Sequence, residues 1–308
     1  MELLKKIKDQ FPVLLRRNFR LFCSYRGIDI VRIIILLAGP VFIGLTISWV
    51  LGGSFSSQLS INICALMIMV MSAIYIGIFN SLLIICNEKQ ILKYEFISGV
   101  SPSAYVLSIA TVHLGICLIQ AFLFTHVYVT KLQLPMTDFL LGKEVNWLIS
   151  FFLILYASDM LGLLLSSLSP NGETANFLSP ICLIGQILFS GTVWPMDNLV
   201  SRCMIARWGM ASLGSLIDMG NIHSDMTDLL SSDEQRMLNA LLTSSGYKLD
   251  EFEKILSDRF ISLSGIDISL YQKTGSHIVI TWGYLIIIII VLLAINVLVV
   301  RMVKFRRR

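Results

Sequence analysis

Long apolar runs alternate with short polar joints along this chain. The runs fall at about 31–51, 61–86, 104–129, 147–168, 175–194 and 278–300, each of a length to cross a ~30 Å hydrocarbon core as a helix of about 20 residues. This pattern predicts an all-α polytopic membrane protein with six transmembrane helices. The fifth run is the least regular, because Pro180, Gly185 and Gly191 interrupt it and Trp194-Pro195 closes it. It reads as a helix followed by a re-entrant piece, which a membrane tolerates where protein covers the exposed backbone.

The polar joints differ in kind. Residues 1–30 place Leu4, Ile7, Phe11, Leu14 and Phe22 near one helical face and Lys5, Lys8, Arg16, Arg17 and Arg20 mostly on others. A basic amphipathic helix of this type lies along an anionic leaflet, and Pro12 is expected to divide it in two. Residues 87–101 form a short polar helix between the second and third runs. The stretch 195–277 carries eleven acidic and seven basic residues and shows helical apolar spacing, which predicts a largely helical subdomain on one side of the membrane. Cys203 is its only cysteine, so no internal disulfide staples it.

Composition agrees with this reading. The chain is 56% hydrophobic and 14% charged, with a mean hydropathy of +0.78, whereas soluble chains carry roughly 25% charged residues. Seven Lys and Arg residues precede the first run and five lie in the tail "RMVKFRRR", while loop 52–60 has none. Both termini are therefore expected to be cytoplasmic, in a multi-pass cell-membrane protein with an even number of spans. The organisation expected is a cytoplasmic amphipathic helix (1–30), spans one to five (31–194), an extracytoplasmic loop (195–277), then span six with a basic tail (278–308).

The stretch "NEKQILKYEFISGVSPSAYVLS", Asn87 to Ser108, carries a resemblance. With Glu88-Lys89, Lys93 and Glu95, Gly99, Ser101 and Tyr105, it is similar to the connector between spans two and three of ABC-2 type transporter permeases, in the branch like the G subfamily (type V) of ABC exporters. Lys stands at 89 where that pattern has Arg, which removes a bidentate contact. A second block, "LGLLLSSLSPNGETANFLSPICLIGQILFSGTVWPM", matches at Gly162, Ser166, Gln186, Phe189, Ser190, Gly191 and Pro195. A weaker echo is "ARWGMASLGSLID". The resemblance covers about residues 10–215 and the last span.

The resemblance implies a permease that exports an amphipathic or hydrophobic substrate by alternating access. No G-x-x-x-x-G-K-[ST] loop occurs in the chain. ATP and its Mg are thus expected in a separate ABC ATPase subunit, with no cofactor in this chain and a second permease subunit completing a homodimer or heterodimer. Glu88, Lys89, Lys93, Glu95, Gly99 and Tyr105 are the expected ATPase-coupling residues, with Ile91, Leu92 and Phe96 packing toward the membrane. Gly99 is expected to end the helix at positive φ. Met67, Met69, Met71, Tyr75, Phe79 and Phe189 read as either an adaptable substrate surface or plain helix packing.

Asp159 and His113 each lie nine residues from the inner end of their spans, at about 14 Å depth. They are expected to pair and to hold spans three and four together, since an intramembrane acid is costly without a partner. Asn80, Gln120 and Gln186 read as interhelical hydrogen-bonding groups or as part of a substrate path. The rival class is an ion-coupled secondary transporter using Asp159 and His113, although no internal repeat supports it. No H-E-x-x-H, G-x-S-x-G or metal-ligand cluster occurs, and no nucleic-acid partner is expected.

Overall fold

A computed structural model describes residues 2–22, 38–39, 41–46, 49, 59–131, 142–191, 199–217, 271 and 274–305. The principal helices are α1 (Glu2–Phe22), α2 (Leu59–Ser81), α3 (Ile84–Ile97), α4 (Pro102–Lys131), α5 (Lys143–Leu168), α6 (Gly172–Leu188), α7 (Leu199–Arg202), α8 (Ile205–Ile217) and α9 (Gly275–Phe305). No strand occurs among the described residues. Four stretches are long and apolar enough to span a bilayer: Ile63–Ile97, Pro102–Thr130, Glu144–Leu168 and Gly275–Met302. The expected first span lies largely outside the described residues. The expected fifth is the 17-residue α6, about 26 Å long at 1.5 Å per residue.

The centre of the bundle is the crossing of α2 on α5. Gly77 of α2 sits so close to α5 that a Cβ there would stand 2.6 Å from both the Leu155 carbonyl and the Ser158 Cβ. Gly162 of α5 answers it: a Cβ at that position would collide with the Ile78 backbone and stand 2.7 Å from Ser81 Oγ. Small residues four apart on each helix (Gly77 and Ser81, Ser158 and Gly162) let two backbones touch, the usual way membrane helices gain contact where no hydrophobic force separates protein from lipid. Ser81 Oγ then donates to the Asp159 carbonyl at 2.5 Å. Around the crossing pack Leu66, Met69, Ile74 and Ile78 of α2, with Phe124 and Tyr128 of α4 and Trp147, Phe151 and Ile154 of α5.

Helix α9 is tied to α8 where Ser215 Oγ and His277 Nδ1 lie 3.2 Å apart, and to α5 and α4 by three further polar links. Trp282 Nε1 donates to Ser150 Oγ (2.9 Å), Asn296 Nδ2 to the Met160 carbonyl (2.9 Å), and Arg301 Nη2 to Ser103 Oγ (2.8 Å). Every residue of α8 is buried, against α2, α5 and α9. Thus Ile205–Ile217, which the sequence assigns to the loop 195–277, packs on the spans, and 218–270 lies outside the described residues.

Two prolines behave differently from expectation. Helix α1 runs unbroken through Pro12. Both Lys8 and Pro12 lie on its exposed side, so water can take the carbonyl that the ring leaves without a donor. Helix α6 likewise continues through Pro180 and Gly185. There the Asn176 carbonyl, which would have received the residue-180 N–H, accepts from Ser179 Oγ at 3.1 Å.

The crossing makes a direct test. Gly162→Ala should lower stability by roughly 1–3 kcal/mol, the usual cost of overpacking, read as a lowered Tm in detergent. Gly283→Ala, where nothing lies within 4 Å of the added carbon, should leave Tm unchanged or raise it.

Candidate functional site: the polar connector helix and the buried polar groups behind it

Helix α3 begins at a break. The Leu82 N–H still reaches the Ile78 carbonyl at 3.1 Å, and the Asn87 N–H reaches Leu83 at 3.3 Å. Between them, the Ile85 and Cys86 N–H groups leave the helical ladder and both donate to Ser166 Oγ of α5, at 3.0 and 3.1 Å. The first N–H groups of any helix need such outside acceptors. The other end closes by a Schellman motif: Val100 N–H donates to the Glu95 carbonyl at 3.0 Å and Gly99 N–H to Phe96 at 3.4 Å. Gly99 has φ +105°, as the sequence predicts.

The faces of α3 are not those expected from the sequence. Glu95 accepts from Arg17 Nη1 of α1 at 2.6 Å, and Glu88 stands 3.7 Å from Arg17 Nη2. Tyr105, fully buried on α4, donates its hydroxyl to Glu88 Oε2 at 2.9 Å. Lys89 Nζ donates to the Ser169 carbonyl at the end of α5, at 2.5 Å. Of the four charged residues read as coupling contacts, Lys93 alone is exposed. Leu92 and Phe96 are buried as expected, but Ile91 is not: it is 55% exposed and joins Tyr94 (74%) and Ile97 (77%) in an outward stripe. The reason is angular. Positions 88, 92, 95 and 96 share one face of a 3.6-residue helix and 91, 94 and 97–98 the opposite one.

Helix α1 fastens the same region. Gln10 grips the turn after α3 twice, its Oε1 accepting from Ser101 N–H at 2.8 Å and its Nε2 donating to the Gly99 carbonyl at 3.3 Å. Asn18 Nδ2 donates to Ser108 Oγ at 2.7 Å. Neither contact was sought in the sequence, where α1 reads only as a basic amphipathic helix.

Deeper in the bundle the expected polar groups meet in pairs. His113 Nδ1 of α4 and Asp159 Oδ1 of α5 lie 3.0 Å apart and share a hydrogen bond, both buried. Asp159 Oδ2 has no hydrogen-bond partner among the described residues. Asn80 of α2 and Gln120 of α4 exchange two amide hydrogen bonds, at 2.7 and 3.1 Å. Gln186 of α6 accepts from the Ala206 N–H at 3.1 Å and so caps the start of α8. Among the described residues no His, Cys, Asp and Glu group could hold a metal. Of the Met and aromatic positions, Met69 is core, whereas Tyr75 and Phe79 are exposed with rings 4.4 Å apart.

Comparison with known proteins now decides the family. The ABC-2 type transporter family model matches residues 9–212, which contain most of α1, all of α2 to α7 with the connector, and most of α8. The chain belongs to the ABC-2 type transporter family. It is also 23% identical, over 224 residues, to an ABC transporter ATP-binding/permease protein of Mycobacterium tuberculosis. That stretch covers 68% of this chain and 25% of the relative, so the chain spans about a quarter of the relative's length. In this ABC-2 permease domain, Ser166 and Gln186 of the matching block, with Asn171 between them, accept orphan helix N–H groups.

The ABC-2 bundle joins α4 to α5 through His113 and Asp159, so their effects should not add. The double-mutant cycle of Asp159→Asn and His113→Gln, read by unfolding in detergent, should show a coupling of about 1 kcal/mol. Additive losses would mean that the two side chains act independently.

Proposed function

We propose that this chain is the permease half of an ABC exporter, driven by an ATPase that docks on α3. The observation that carries this reading is the Ile91–Tyr94–Ile97 stripe: it is apolar and exposed on a helix whose opposite face is bound into the bundle. An apolar stripe on an otherwise polar joint suits a protein groove that receives a helix, with anchors at i, i+3 and i+6–i+7. Lys93 beside it adds a charge to the rim. In this arrangement α1, α3 and both termini are cytoplasmic, and ATP with its Mg is bound by the partner.

A second permease copy or a related chain completes the path. Ile68, Tyr75 and Phe79 on α2, with Phe177, Ile181, Ile184 and Leu188 on α6, leave apolar faces uncovered. Facing copies would line the passage between them with these side chains, which suits an amphipathic or hydrophobic substrate. Closure of the ATPases would shift an inward-open population toward an outward-open one, to the extent that the closed dimer binds the second form better. Asp159 and His113 face the packed interior and act here as a link between helices, not as an ion path.

Purification from native membranes in mild detergent, with co-purifying chains identified by mass, tests the proposal. An ABC ATPase should accompany the wild type. Its recovery should fall at least about tenfold in Tyr94→Asp/Ile97→Asp, since each buried anchor of an interface is typically worth over 1 kcal/mol, and should persist in Glu95→Gln. Absence of any ATPase with the wild type would sink the reading.

A further inference from the structure

We infer that Ser166 is a positioning residue that splints the break at Leu82–Leu83, locking the coupling helix α3 to α5 so that the two keep a fixed relation to each other. The inference rests on the permease reading for what pushes on α3, and on geometry alone for the joint itself. At Leu82–Leu83 the chain turns from one helix into the next, and the Ile85 and Cys86 N–H groups lose the acceptors a continuous helix would give them. Ser166 Oγ, fully buried, takes both. The joint is doubled three residues on, where Lys89 Nζ meets the Ser169 carbonyl that ends α5. Thus α5 caps the start of α3, and α3 caps the end of α5.

These contacts lie in register. Ser169, Ser166, Gly162 and Asp159 are spaced three, four and three residues apart, which is one face of a helix. Going along that face from the α3 end, α5 holds Lys89, then the Ile85 and Cys86 N–H groups, then the Ile78 backbone, then Ser81. The upper two contacts belong to α2 and the lower two to α3. A tilt of α3 therefore either carries α5 with it or breaks two hydrogen bonds at the buried Ser166 hydroxyl. Because its other two contacts hold α5 to α2, α5 bridges the lapse at Leu82–Leu83, and a push on α3 is passed to α5 and α2 together. Among the described residues, the hydroxyl of Ser167, the neighbour of Ser166, bonds only its own helix, at the Leu164 carbonyl (2.8 Å).

Two measurements on the full chain in lipid nanodiscs decide this. Amide hydrogen exchange at Ile85 and Cys86 should speed up roughly tenfold or more in Ser166→Ala, recover in Ser166→Thr, which keeps the oxygen, and stay at the wild-type rate in Ser167→Ala. Spin labels at positions 93 and 168, in a chain with its reactive cysteines changed to serine, should give a narrow distance distribution that Ser166→Ala broadens. With the ATPase bound and trapped by ATP and vanadate, that distance should stay put in the wild type and shift in Ser166→Ala. Unchanged exchange in Ser166→Ala, or a wild-type distance that shifts as much as the variant's, overturns the inference. If no ATPase binds the wild type, the permease reading fails, while the exchange rates and the nucleotide-free distance distributions still decide whether Ser166 holds the joint.

Discussion

The bundle depends on one close contact, the crossing of α2 over α5 at Gly77 and Gly162. Each glycine lets its helix meet the other's backbone beside a serine: Gly77 lies against the Leu155 carbonyl and Ser158, and Gly162 against the Ile78 backbone and Ser81. This approach brings Ser81 within reach of the Asp159 carbonyl and sets the Asp159 side chain toward His113 on α4. It also carries the end of α5 alongside the α2–α3 break, where Ser166 is needed. A bulkier pair would move α5 outward, and every polar link along it would lengthen together.

The polar links are few and differ in weight. The Arg17 pairs with Glu88 and Glu95 are partly exposed, with side chains 24–28% accessible, and pairs of this kind contribute at most about 1 kcal/mol. Buried links weigh more, because their loss leaves a polar group without water: each such orphan costs about 1–3 kcal/mol. Gln10 at the Gly99–Ser101 turn, Ser166 at the break and Gln186 at α8 all satisfy backbone groups that no helix could satisfy for itself. Ser166 and Gln186 are buried and carry that weight, whereas Gln10 is partly buried, like the Arg17 pairs.

Much of this was legible in the sequence. Apolar runs marked α2, α4, α5 and α9, because twenty greasy residues in a row have one economical fate in a bilayer. An acid and an imidazole at equal depth on neighbouring spans predicted the His113–Asp159 contact, and the Gly99 turn followed from its position after a polar helix. The facing of α3 was not legible. Glu88, Lys89 and Glu95 look like solvent residues in a list, and only the rotation of the helix against α1 and α5 shows that they turn inward while Ile91 turns out. Ser166 read only as a matching position of the second block, with no role assigned to it. Its role arises from a break in a different helix, eighty residues earlier, and no local pattern records a partner so distant. The burial of α8 was hidden for a related reason: "ARWGMASLGSLI" carries a cation, and the Ser201 hydroxyl that accepts from Arg207 belongs to the preceding turn.

Helix α9 carries a consequence for the membrane in which this protein sits. Its apolar stretch Gly275–Met302 has 28 residues, about 42 Å of helix against a ~30 Å hydrocarbon core. A free helix of that length would tilt until it matched the lipid. Here the pins at Trp282, Asn296 and Arg301 bind it to α5 and α4 over 19 residues, from 282 to 301, or about 28 Å. Its inclination is fixed by its neighbours, so the surrounding lipid must adjust its thickness to the protein. A thinner bilayer would pull on α5 and α4 through those three pins, making membrane thickness a mechanical load on the helices that carry the crossing.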